Sequence, residues 1–201
     1  MRDPQISGTP LSPDEYLADF RQRFWESGAG GCWKLERQQH FVEPSSESWQ
    51  AFNAGDWSRS LELLEQKRPD LEQYESLLVR NNMAVRRARV VETPLSPYLV
   101  WELNALRIRE ESGGAINVVD RQAVADFEHR AELPEVFVIG STVVYEVRYD
   151  DRGALTGAIR SLGTAAVQHW TGVARTLYGR GEQLAAFYHR EVAGRRPPHA
   201  A

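Results

Sequence analysis

The chain has 201 residues, a formal net charge of -4 and a pI near 5.8, an acidic average that argues against unspecific coating of nucleic acid. Hydrophobic residues make up 42%, with 6 Trp, 7 Tyr and 7 Phe, enough to build a core and to exclude wholesale disorder. Cys32 is the only cysteine, so an intrachain disulfide and a cysteine-based zinc site are both excluded.

Residues 1–11 hold Pro4, Gly8 and Pro10 and are expected to form a flexible leader. Ser12-Pro13-Asp14-Glu15 is a helix start, with Ser12 as cap, Pro13 in the first turn and Glu15 closing a capping box. Tyr16, Phe20 and Phe24 follow at four-residue spacing and define one apolar face. Gly28-Ala29-Gly30-Gly31 ends that helix as a flexible turn. Residues 32–42 read as extended, anchored by Trp33, Leu35 and Phe41. A helical insertion spans 45–82: a short helix with Trp49 and Phe52, a second with Leu61 and Leu64, and a third after Pro69 with Leu71, Tyr74 and Leu78.

Strand candidates cluster in the second half. They are Ala84 to Glu92, Ala115 to Val119, Val136 to Ile139 and Thr142 to Tyr149, the last with strict alternation. Asp150-Asp151-Arg152-Gly153 is a turn, and 154–160 returns as a hairpin partner. Helices are expected from Ser96-Pro97 to Glu111, from Asp120 to Arg130, and on both sides of Gly179-Arg180-Gly181. Residues 193–201 form a flexible tail. This order predicts a single α/β domain over 12–192, with a mixed β-sheet covered by helices.

The start, Met1-Arg2-Asp3-Pro4, lacks the apolar run of a signal peptide, and no segment has the roughly 18 to 20 apolar residues that cross a bilayer. The expectation is a cytoplasmic protein that does not contact membrane.

The search for chemistry is mostly negative. The glycines at 28–31 precede a strand and not a helix, so they do not make a phosphate loop. Cys32 beside Trp33 reads as a small core residue. His40, His129, His169, His189 and His199 form neither H-x-x-x-H nor H-E-x-x-H, and G-x-S-x-G is absent. No metal and no cofactor is expected.

Two features stand out. Arg86, Arg87 and Arg89 lie on one strand, with Arg87 and Arg89 on one face and Arg86 on the other. Such a pair holds a phosphate or an acidic partner, or else is neutralised by helix carboxylates such as Glu72 or Glu75. The helix over 97–110 carries two apolar stripes, one with Tyr98 and Trp101 and one with Leu99, Leu103 and Leu106. A helix apolar on two sides is either deeply buried, under the N-terminal helix for example, or shared between the sheet and a second surface. That second surface would take a partner or another copy of the chain.

The segments Trp33-Lys34-Leu35-Glu36, Arg86-Arg87-Ala88-Arg89-Val90-Val91-Glu92-Thr93-Pro94-Leu95-Ser96-Pro97-Tyr98 and Leu133-Pro134-Glu135-Val136-Phe137-Val138-Ile139 resemble an uncharacterised actinobacterial domain family. That family is similar to a degenerate branch of the phospholipase D superfamily and is often encoded beside helix-turn-helix regulators. The resemblance implies a phospholipase D-like fold and a regulatory or accessory role. The superfamily's H-x-K signature is absent, since none of the five histidines has Lys two residues on.

The leading expectation is therefore a non-enzymatic accessory protein. It would bind a protein partner, such as a helix-turn-helix regulator, through Arg86, Arg87, Arg89, Tyr98 and Trp101, and a homodimer is included. The alternative is an enzyme or ligand-binding protein acting on a phosphate-bearing small molecule or nucleic acid, in natural-product biosynthesis for instance. Arg87 and Arg89 would hold the phosphate, and Glu36 or His40 would serve as acid or base.

Overall fold

The computed structural model describes residues 5–26 and 31–197. The start of the leader, the turn residues Gly28-Ala29-Gly30 and the end of the tail lie outside the described residues. The first half runs β1 (Thr9–Leu11), α1 (Pro13–Glu26), β2 (Cys32–Glu36), α2 (Glu47–Asn53), α3 (Trp57–Gln66), α4 (Arg68–Arg80), β3 (Val85–Val91) and α5 (Pro97–Glu111). The second half runs β4 (Ala115–Asp120), a 3-10 helix (Arg121–Phe127), β5 (Glu135–Ile139), β6 (Val143–Tyr149), β7 (Leu155–Ser161), α6 (Thr164–Arg180), β8 (Glu182–Gln183) and α7 (Leu184–Glu191).

The helices start where the sequence supplies caps. The Ser12 N–H donates to Glu15 Oε2 at 2.8 Å, one half of a capping box. Ser46, Asp56 and Ser96 accept the N–H groups of Trp49, Arg59 and Leu99 at the heads of α2, α3 and α5.

The strands form one mixed sheet in the order β1-β7-β6-β5-β2-β3-β4-β8. Only β2, β3 and β4 pair in parallel; the other pairings are antiparallel. Alternation sends Trp33, Leu35, Ala88, Val90, Val136, Val138 and Val144 to one face, where they pack on Val167, Trp170, Val173 and Leu177 of α6. On the opposite face Phe137, Ile139, Val143 and Tyr145 meet Tyr16 and Phe24 of α1 and Leu78 of α4. Further along that face Val91, Ile116 and Val118 meet Leu99, Leu103 and Leu106 of α5 and Leu184 and Phe187 of α7. The expected single α/β unit with a mixed sheet covered by helices is what the chain forms.

Four expectations are corrected. Residues 9–11, assigned to a loose leader, make edge strand β1 on β7, and Ile6 is 2% exposed. The extended stretch 32–42 ends as a strand at Glu36, because the next residues turn away over the rim of the sheet. The helix expected from Asp120 to Arg130 is a 3-10 helix over Arg121–Phe127. The second apolar side of α5, with Tyr98 and Trp101, is covered from within the chain by Phe41 and by Phe52 of α2, and neither cluster that holds α5 contains an α1 residue.

Candidate functional site

The parallel strands β2 and β3, the antiparallel β6 and the start of β5 all reach the same rim of the sheet. In α/β sheets this carboxyl-end rim is where loops leave room for a ligand. Here it opens into a cleft of about 520 Å³ lined by Arg37, Gln38, Gln39 and His40 after β2, Glu92 after β3, Glu132 and Glu135 around the start of β5, and Glu146 to Asp151 of β6 and its turn.

Arg37 sits at the floor and is 2% exposed. Three carboxylates surround its guanidinium: Glu128 at 2.7 Å, Glu92 at 2.8 Å and Glu132 at 3.2 Å. Burial works against that charge, but the Glu128 and Glu132 carboxylates outweigh it and hold the guanidinium protonated. Glu135 accepts the backbone N–H groups of Arg37 and Gln38 at 2.7 and 2.5 Å, which fixes the turn out of β2. Burial, helped by the negative charge of Glu36, pushes the Glu135 carboxyl up to about 7. Glu135 therefore changes charge close to neutral pH. Gln39 bridges the rims of β2 and β3: its amide donates to the Val90 carbonyl at 3.0 Å, and its oxygen accepts the Glu92 N–H at 2.8 Å. His40 stacks edge-on against Tyr98 with ring centres 5.0 Å apart, and burial lowers its pKa.

Beneath the cleft, between the sheet and α5, runs a layer of buried charge. Lys34 and Arg87 both grip Glu36, at 2.5 and 2.7 Å. Burial alone would raise Glu36, but the Arg87 and Lys34 charges hold it far below the usual carboxylate range. Arg89, wholly buried, contacts Glu102 of α5 at 2.6 Å. Burial, against the pull of Arg89, raises Glu102 to about 7.

The structure places the sequence-derived candidates in three environments. Arg86 lies on the α6 face, over the Trp33 ring at 5.4 Å. Arg87 and Arg89 share the opposite face, where the expected neutralisation occurs with different partners: Glu36 and Glu102 take the arginines, while Glu75 pairs with Arg109 at 3.1 Å. Tyr98 and Trp101 are each 2% exposed and pack with Phe41 and Phe52, so the five residues do not share a surface. Glu36 is clamped as a structural anion, and no hydrogen bond joins it to His40 among the described residues. Of the expected site residues, only His40 lines the cleft.

Sequence reasoning passed over Arg37, Glu92 and Glu135. The available signal was a run of polar residues, Arg37-Gln38-Gln39-His40, directly after an apolar strand. Among the described residues no group of three or more His, Cys, Asp or Glu side chains is placed to hold a metal ion. None of the described helices is long and apolar enough to cross a membrane.

The sheet order and the acidic rim define a single-domain α/β protein with one large cleft at the carboxyl ends of its central parallel strands. The chain belongs to the family described as "Domain of unknown function (DUF6879)", which matches residues 18–189. No curated protein matches it.

Proposed function

We propose that this protein is a non-enzymatic accessory protein that docks a protein partner, and that the acidic cleft receives a basic side chain of that partner. One observation carries the reading. Besides Glu135, whose carboxyl is pushed up to about 7, five carboxylates (Glu92, Glu132, Glu146, Asp150 and Asp151) line the cleft against two arginines, and Arg37 is already surrounded by acids. Such a field attracts cations and repels phosphates. The partner surface is thus the rim of the sheet, not the arginine strand.

In this reading the family is a relative of the phospholipase D superfamily without its histidine–lysine pair, and the protein works in the cytoplasm of an actinobacterium. The partner is a protein such as a helix-turn-helix regulator, or a second copy of the chain. The mixed sheet covered by helices supports that kinship.

Fluorescence anisotropy with labelled peptides tests the docking. Arginine- and lysine-rich peptides bind, added salt weakens them, and the paired substitution Glu92→Gln with Asp151→Lys weakens them roughly tenfold or more. Equal binding of acidic and basic peptides would sink the reading.

A further inference from the structure

The buried charge layer has a second opening. At the starts of β3 and β4, far along the strands from the acidic rim, lies a cavity of about 120 Å³ between the sheet, α1, α4 and α5. Its polar side is formed by Lys34, Arg87, Arg109 and the carboxylate Glu75, and its apolar side by Phe20, Ile116 and Phe137. We propose that this cavity binds a small organic monocarboxylate, its charge held by Arg109 and Arg87 and its apolar body laid against the phenylalanines.

The charge count favours a monoanion. Three cations meet here, and two carboxylates answer them: Glu36 is shared by Lys34 and Arg87, and Glu75 serves Arg109. One positive charge is left over beside the aromatic walls. Arg87 reaches Glu36 through Nη1, at 2.7 and 2.9 Å, and its side chain lines the cavity. Arg109 stands at the mouth, its side chain about one third exposed and its guanidinium 5.5 Å from the Tyr74 ring centre. Burial and the neighbouring Arg87 charge both lower the pKa of Arg109, the mark of a cation short of counter-charge. The backbone is shaped to hold it there: a Cβ on Gly114 would stand 2.9 Å from Arg109 Cγ, so only glycine lets that arginine lie against the turn into β4. At about 120 Å³, against the roughly 10–15 Å³ that a single water needs, the cavity has room for a small organic acid. Phosphate has no apolar body to lay against the phenylalanine wall.

The site is independent of the partner reading, since it lies at the other end of the strands and has the opposite charge. The experiment is calorimetric titration and thermal unfolding of the full chain, at constant ionic strength, with benzoate, benzamide and inorganic phosphate as separate probes. Saturable binding and stabilisation are expected with benzoate, and neither with benzamide or phosphate. Arg109→Gln, a change at the cavity mouth, weakens benzoate binding ~10-fold or more, the scale of one lost charge-assisted hydrogen bond. No saturable benzoate binding to the wild-type chain overturns the proposal whatever the variant does. Equal binding of benzamide, a preference for phosphate, or unchanged benzoate affinity in Arg109→Gln overturns it as well.

Discussion

Glu36 and Glu135 occupy neighbouring positions on paired strands and titrate in opposite directions. Glu36 has two cations in contact and stays ionised; Glu135 has backbone N–H donors but, among the described residues, no ion pair, so burial and the Glu36 charge dominate. The folded-state pKa of Glu135 is raised from 4.5 to about 7, so the folded chain binds that proton more tightly than the unfolded chain does. Its contribution is fully present below pH 4.5 and is lost as pH rises through about 7, a change of roughly 3 kcal/mol. Glu135→Gln keeps an oxygen acceptor for the Arg37 and Gln38 N–H groups and removes the titration. Urea unfolding at intervals from pH 4.5 to 8 is expected to show a flatter stability profile in the variant. An identical slope in both proteins contradicts the assignment. The Arg87 and Arg89 pairing was legible in the sequence as a shared face. Its partners were not, because Glu36 and Glu102 come within bonding distance only when β2 and α5 are laid against β3.

At the level of elements, the caps and the strict alternation of β6 were readable because they depend on residues a few positions apart. Edge strand β1 was not. Its three residues have no strand pattern of their own, and their place comes from pairing with β7 some 150 residues later. Close approach makes that pairing specific: Gly157 has φ +133, and a Cβ there would lie 2.1 Å from the Leu11 carbonyl oxygen. Gly157→Ala therefore strains β7 and pushes β1 away, at a cost of about 1–3 kcal/mol. Hydrogen exchange is expected to show lost protection at Thr9–Leu11 while β5 and β6 stay protected; retained protection at β1 would show that the edge tolerates the change. Helix α5 teaches the converse. Its two apolar stripes were plain in the sequence, but whether the second faced a partner depended on where α2 and the segment carrying Phe41 came to lie. Phe41 and Phe52 pack on Tyr98 and Trp101, and the Trp101 indole N–H donates to Ser48 Oγ at 3.0 Å, so the stripe is covered from within the chain.

Over the whole molecule, the two cavities sit at opposite ends of one charged layer, acidic at the carboxyl ends of the strands and basic at their starts. Cys32 reports on the integrity of this arrangement. It is 2% exposed against α1 and α4, and burial pushes its thiol up to about 11. Labelling by a chromogenic disulfide is expected to be negligible in the native protein and to rise with urea in step with global unfolding. Fast labelling without denaturant would reveal local opening between β2 and α1. The sequence by itself determined the class of fold, the register of apolar faces and the absence of familiar catalytic signatures, because periodicity and motif are local properties of a chain. Tertiary structure alone decided which charges neutralise one another, which helix faces are covered and where the cleft lies. Those outcomes depend on contacts between residues tens of positions apart, which no local pattern encodes.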